Sequence, residues 1–554
     1  MKKTSRLLAI VLSILILAGF MTACNTEPGD VSDEESAVSS LESNEESADE
    51  GVNSSEESLP EDSVPGDVES DTEAESAADN TNNGATTTSA TKKNTTTKTK
   101  ATAATTAVPD KDIHANDKKD FKGREFIIAS HWGPGYFPEY GKSEAGDDML
   151  AHIEWIETTY NCVLKYKAAT REQMITDFTA ASLANSYYAD IYEDQLWGAR
   201  EFIRKGFMVP LDTLESMDLS LEKYIDSYSK LCEYDGHIYG TNFTGWYYKI
   251  PWFNQGAMLF NMDLLEKYNQ PNPWDLIEKG EWTWDKFREI CKACTKDNNG
   301  DGKPETWGLA NRCIEGALIS TGKDIITWDS RNKRWAFGYA DTAVYSAIQM
   351  VSDMLHVDKS TAFGYESVNA TYGVSDLFGR GKAAFVNLQD LEWIGYGDAR
   401  RAWIQDMNDD FGLVPFPLAP TNKSGKYVAT FTGNARVFMI PKTAKNAEDS
   451  AFIFDRWTQP FEGTNSNSWK EFMLDNYFRG YEESFKYFEM MLANAKTTME
   501  ADLGHLQTIP WATTLDACIM EQKYTPAEAV AQEVEAYNAY LDMYVNSDPK
   551  MLKK

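Results

Sequence analysis

An α/β body in two lobes, standing behind a long polar leader, is the fold class the sequence predicts. Three observations predict it. From Phe121 onward, short apolar runs alternate with amphipathic helical segments. That body of about 430 residues is more than one hydrophobic core comfortably serves. Between Asn25 and Lys119 there is no aromatic residue, so the leader cannot bury enough apolar surface to offset chain entropy.

The N-terminus reads as an export signal over residues 1–23. Lys2, Lys3 and Arg6 precede the apolar run Leu7 to Phe20, and small residues with a cysteine follow in Met21-Thr22-Ala23-Cys24. The run is shorter than the ~20 residues of a spanning helix. Its end resembles the bacterial lipoprotein signal, which implies lipidation of Cys24 and a lipid-anchored chain at the extracellular face of the cell membrane, in a Gram-positive-like setting. An ordinary secretory signal with an incidental cysteine is the alternative.

Residues 24–119 read as a disordered linker, acidic and then Thr-rich. Glu27 to Asp79 holds 20 acids and no Lys or Arg, out of 86 acids and 53 basic residues in a 554-residue chain of net charge -33. A flexible coil of that length reaches roughly 50 Å, which suits a tether. The acidity excludes nucleic acid, whose phosphates need a basic face, and unaided adsorption to anionic lipid.

In the body, Phe126-Ile127-Ile128, Cys162-Val163-Leu164, Ala257 to Phe260, Ala383 to Val386 and Val437 to Ile440 read as strands. Helices start at recognisable caps. Asp341 precedes Val344, Ile348, Val351 and Leu355, and Thr525-Pro526-Ala527-Glu528 is a capping box. The C-x-x-C at Cys291 and Cys294 tempts a redox or zinc reading. However, Phe287, Ile290, Cys291 and Cys294 form the i, i+3, i+4, i+7 stripe a helix buries, and no second pair completes a zinc site.

The order of further segments is specific. Asp235-Gly236-His237-Ile238-Tyr239-Gly240 leads to Ala257 through Leu265, then to Trp282-Thr283-Trp284-Asp285-Lys286-Phe287 and Phe378 to Phe385. Phe411 to Pro417 and Ile440 to Asp449 close the series. Together they resemble the family 1 extracellular solute-binding proteins, the capture subunits of sugar ABC importers. The resemblance implies the two-lobed, type II periplasmic-binding-protein-like fold. It divides the body into lobe 1 (120–250), lobe 2 (251–420), a return to lobe 1 (421–476) and C-terminal helices on lobe 2 (477–554). Hinge crossovers fall near Tyr247 to Gln255, Leu418 to Lys426 and Tyr477. Ligand in the cleft then draws the lobes shut, a transporter reads the shut form, and no catalysis is required.

A sugar ring needs an aromatic platform for its C–H face and polar side chains for its hydroxyl rim. Strand ends and cleft loops supply both. The candidates are Trp132 and Tyr136 after the first strand, and Asp194 and Gln195 in the segment Glu193 to Trp197. Trp246 and Trp252 lie at the first crossover, Glu392 and Trp393 follow Val386-Asn387-Leu388, and Asn434 and Trp511 complete the set. Trp282, Trp284, Trp307, Trp335 and Trp457 are expected in the core instead.

One local motif suggests calcium as a structural ion. Asp297, Asn299 and Asp301 place oxygens at loop positions 1, 3 and 5, Gly302 stands at 6, the Lys303 carbonyl at 7 and Glu305 at 9. Gly308 stands where an EF-hand has its bidentate Glu, and a plain Asx-type turn is the alternative.

The function expected is capture of a carbohydrate, an oligosaccharide in particular, by a monomeric lipoprotein that delivers it to ABC permease subunits. Rival readings are a tethered glycosidase-like enzyme, a glycan adhesin, or the same fold with a peptide or amine ligand. A glycosidase needs a carboxylate pair across the bond. No G-x-S-x-G, H-E-x-x-H, Walker loop or G-x-G-x-x-G is present to suggest other catalysis.

Overall fold

The computed structural model describes residues 118–131, 139–251, 253, 255–362, 376–388, 394, 404, 407–431, 434–497, 511–550 and 552. The expected signal peptide, Cys24 and the linker before Lys118 lie outside the described residues.

The chain enters through Lys119, whose Nζ pairs with Asp449 at 2.8 Å and lies over the rings of Phe121 and Phe452. It then forms β1 (Arg124–Ala129), α1 (Glu144–Tyr160), β2 (Cys162–Lys167), α2 (Arg171–Leu183), β3 (Ile191–Gln195) and α3 (Leu196–Arg204). Helix α1 starts where the Ser143 hydroxyl accepts from Gly146 N–H, and stops where Asn161 turns left-handed at φ 48°. Helix α4 (Asp226–Leu231) leads into the hairpin β4 (Glu233–Tyr234) and β5 (His237–Ile238). Its tip, Asp235-Gly236, has φ 52° and 84°, the left-handed pair a tight hairpin turn requires.

Strand β6 (Gly240–Thr241) precedes the second set: β7 (Ala257–Asn261), α5 (Trp284–Cys294), β8 (Trp307–Leu309), α6 (Ile314–Ser320), β9 (Ile326–Asp329), β10 (Arg334–Phe337), α7 (Thr342–His356), β11 (Ala383–Leu388) and β12 (Phe411–Pro415). The chain continues through β13 (Thr430–Phe431), β14 (Arg436–Met439), α8 (Ala447–Trp457), β15 (Lys496–Thr497), α9 (Trp511–Ile519) and α10 (Pro526–Tyr544). The expected caps are present: Asp341 accepts from Ala343 N–H, and Thr525 and Glu528 form a reciprocal capping box.

Two sheets result. The first has order β2-β1-β3-β14-β6, with β1, β2 and β3 parallel and β14 antiparallel to both neighbours. The second has order β12-β7-β11-β8. Every residue of β7, β11 and β12 is buried, as continuous apolar runs covered on both faces require. Phe287, Ile290, Cys291 and Cys294 are buried in the core against the second sheet, so the C-x-x-C packs as its spacing predicts. Trp282, Trp284, Trp307 and Trp457 are also buried, and Trp335 packs partly buried against the same core as Trp282.

The passes between the sheets are stitched to one another. Gln255 and Thr430 exchange backbone hydrogen bonds of 3.2 and 2.9 Å, Lys496 N–H donates to Ala429 O at 2.9 Å, and β13 runs parallel to β15. Gly256 sits at φ 111°, and a Cβ there would meet the Val428 carbonyl at 2.7 Å, so the close approach requires glycine.

Trp246 corrects the sequence expectation. It is 1% exposed, its Nε1 donates to the Trp457 carbonyl at 2.9 Å, and its ring packs against Trp457 and Phe461. Both faces and the polar edge are taken by protein, so it is core and offers no sugar platform.

Candidate functional site

At the carboxyl ends of β1 and β3 and the start of β14, polar side chains collect on one edge of the first sheet. The strand register explains the grouping. Leu196 N–H donates to Ala435 O at 2.7 Å and Arg436 lies opposite Gln195, so Asn434, which is exposed, stands beside the end of β3. Ser130 N–H donates to Lys167 O at 3.1 Å, which brings the ends of β1 and β2 level.

The centre of this edge is a stacked unit. Thr170 caps α2 through its hydroxyl, which places Arg171 on the first turn. Arg171 Nε donates to Asp194 Oδ1 at 3.3 Å, and the guanidinium lies 4.6 Å over the Trp197 ring. Trp197 is fixed in turn, its Nε1 donating to Gln195 Oε1 at 2.5 Å. Asp194 Oδ1 also accepts from Gln195 N–H at 2.7 Å, while Oδ2 has no partner among the described residues. A Cβ on Gly198 would lie 2.3 Å from that oxygen, so only glycine permits the packing.

Burial pushes the Asp194 carboxyl up to about 6, against the pull of Arg171. His131, just past β1, is driven down to about 4 by burial and by the charges of Arg171 and Arg436. It is therefore neutral at neutral pH. Glu193 is fully buried, but as β3 alternates its side chain leaves the opposite face from Asp194. The two acids are no facing pair.

The second sheet presents its own polar edge past β8 and β11. The Asn311 amide copies a strand partner: Nδ2 donates to Asn387 O at 2.8 Å and Oδ1 accepts from Asn387 N–H at 2.9 Å. Arg312 donates to Asp516 on α9 at 2.9 Å and to Glu315 on α6 at 2.6 Å. Trp511 opens α9, the helix that supplies Asp516.

Of the sequence candidates, the structure brings Asp194, Gln195 and Asn434 to one edge. Trp132, Tyr136, Trp252, Glu392 and Trp393 lie outside the described residues. Arg171 is the residue the sequence reading did not single out, and Trp197 entered that reading only as the end of the segment Glu193 to Trp197. The strand-end rule, applied past β2 and into the first turn of α3, reaches both.

In the 297–305 loop the oxygens close the turn on itself. Asp297 accepts from Gly300 and Gly302 N–H at 2.7 and 2.8 Å, Asn299 Oδ1 from Asp301 N–H, Asp301 from Lys303 N–H, and Glu305 from Asn298 N–H. Among the described residues no group of three His, Cys, Asp or Glu side chains is arranged to hold a metal ion.

Comparison with known proteins adds two findings. A family model described as bacterial extracellular solute-binding protein matches residues 154–457. Among solved structures, the GacH receptor of Streptomyces glaucescens is similar at 16% identity and a TM-score of 0.51, over 76% of this chain and 99% of that one; it was determined unliganded and with acarbose. UspC of M. tuberculosis is similar at 12% identity and a TM-score of 0.54, over 75% and 100%. The cyclic alpha-maltosyl-1,6-maltose binding protein of Arthrobacter globiformis is similar at 14% and 0.52, over 76% and 100%. At these identities the likeness establishes the fold, and with it the two lobes.

Proposed function

The chain belongs to the bacterial extracellular solute-binding proteins, and from that premise we propose that it captures an oligosaccharide between its lobes and hands it to the permease subunits of an ABC importer. The single observation that carries the carbohydrate reading is the Arg171–Trp197 stack held by Asp194. A rigid flat surface, ringed by hydrogen-bonding groups at a strand-end edge, suits a sugar's apolar face and hydroxyl rim. The ligands of GacH and of the Arthrobacter protein support the same class. Glu193 and Asp194 leave opposite faces of the sheet, which favours capture over glycoside cleavage.

Trp197→Ala is expected to weaken oligosaccharide binding about tenfold or more by calorimetry, with unchanged circular dichroism. Equal affinity would remove Trp197 from the site, and new reducing ends appearing in the wild-type mixture would make the protein an enzyme.

The reading includes a monomer anchored by lipid on Cys24 at the outer face of the membrane; a Cys24→Ser chain that stays cell-bound would refute the anchor. It also includes calcium as a brace of the 297–305 loop, supported by the spacing of its oxygen side chains. On that reading, calcium raises the melting temperature and a chelator reverses the gain. Indifference to both leaves a set of Asx-type turns.

A further inference from the structure

Helix α10 is part of the second lobe. Tyr537, Leu541 and Val545 are buried in that lobe's core, and Asn538 and Asn546 accept the N–H groups of Phe337 and Trp335 at 3.0 and 2.8 Å along β10. Past the helix, the chain reaches the other lobe. Lys550 Nζ lies 3.0 Å from Asp235 Oδ2 and 5.0 Å over the Tyr234 ring, and Tyr234 donates to Asp548 Oδ2 at 3.5 Å. Closer to the middle of α10, Tyr540 feels the charges of Arg204 and Glu201 at the end of α3.

Both ends of this contact are braced. On the first lobe, the left-handed tip holds Asp235 forward, and Asp212 fixes the hairpin by accepting from Ile238 N–H at 3.1 Å and lying 3.0 Å from His237 Nδ1. On the second lobe, Val545 and Asn546 fasten the tail to the core and to β10. Neither partner shifts without its lobe, so rotation about the crossovers must stretch or break the contact. We propose that the C-terminal tail, residues 545–550, is a strap between the lobes whose Lys550–Asp235 ion pair sets the balance of their open and shut arrangements.

The pair is exposed, at 47% and 43%, so its effect is modest and salt-sensitive. Two lobe arrangements that differ by little free energy still respond to it, with a population change of about threefold. The strap acts whatever the ligand is, and its test uses none.

The experiment measures the distance between fluorophores on Leu183→Cys and Val357→Cys, which are exposed positions on α2 and just past α7, in the full chain carrying Cys24→Ser. The six native body cysteines are buried and do not compete for label. Lys550→Asp and Asp235→Lys should each shift the distance distribution, the double swap should restore it, and wild type in about 1 M salt should resemble the single variants. If a charge reversal fails to fold by circular dichroism, Lys550→Ala takes its place. Single variants indistinguishable from wild type, or a swap that does not restore the distribution, would overturn the strap. Neither result depends on whether a carbohydrate binds.

Discussion

Trp246→Ala is expected to destabilise the protein by about 3–5 kcal/mol, the range for truncating a fully buried aromatic residue. The indole is 1% exposed and fills a space enclosed by Phe243, Trp457 and Phe461. Its loss leaves a cavity and removes the donor from the Trp457 carbonyl. Denaturant melts should show a lower midpoint at unchanged slope, while the folded fraction keeps its ligand affinity. Trp197→Ala should do the reverse, since that ring lies on the stacked edge and outside the core. A Trp246 variant of normal stability and weakened binding would return this residue to the site.

Asp455→Ala is expected to be as damaging for an electrostatic reason. Asp455 is 2% exposed and holds two buried cations: Lys223 Nζ at 2.9 Å on Oδ1 and Arg456 Nη1 at 2.7 Å on Oδ2, with the Tyr224 hydroxyl donating to Oδ1 at 2.9 Å. Lys223 and Arg456 are each 4% exposed, so removing the carboxylate takes the balancing negative charge from two cations that water barely reaches. Breaking such a buried pair costs about 3–5 kcal/mol. His152 does not add a third charge, because burial holds it down at about 4 against the opposing effect of its Nε2–H donating to the Arg456 carbonyl at 3.0 Å. Asp455→Asn keeps an acceptor and loses the charge, and should fall between wild type and Ala in thermal melts. Two variants melting with wild type would mean that water reaches the site and solvates both cations.

What could be read from the sequence follows the range of the forces involved. Strands such as Ala383 to Val386 and the caps at Asp341 and Thr525 depend on neighbours a few residues away, and each appears where its pattern places it. The buried stripe through Cys291 and Cys294 was legible for the same reason. Trp246 was not, because its place depends on Trp457, 211 residues along the chain. Its position beside a crossover resembled that of a binding platform, and only long-range packing distinguishes the two. The Arg171–Asp194 contact spans 23 residues and joins a helix start to a strand end, a pairing no periodicity encodes. Asp194 itself was legible as a strand-end acid, but its burial and the glycine it needs at position 198 were not.

The entry of the chain at Lys119 has a mechanical consequence. Asp449 receives both Lys119 and Arg124 at the start of β1, and Arg124 also binds Asp190 just ahead of β3. The polar edge lies at the other end of those strands. A pull on the N-terminal side therefore loads β1 in shear against its parallel neighbours β2 and β3, the arrangement in which many hydrogen bonds share the force. Tension on the first sheet bypasses the Gln255–Thr430 stitch, so on the proposed function a tug on the chain leaves lobe closure unhindered.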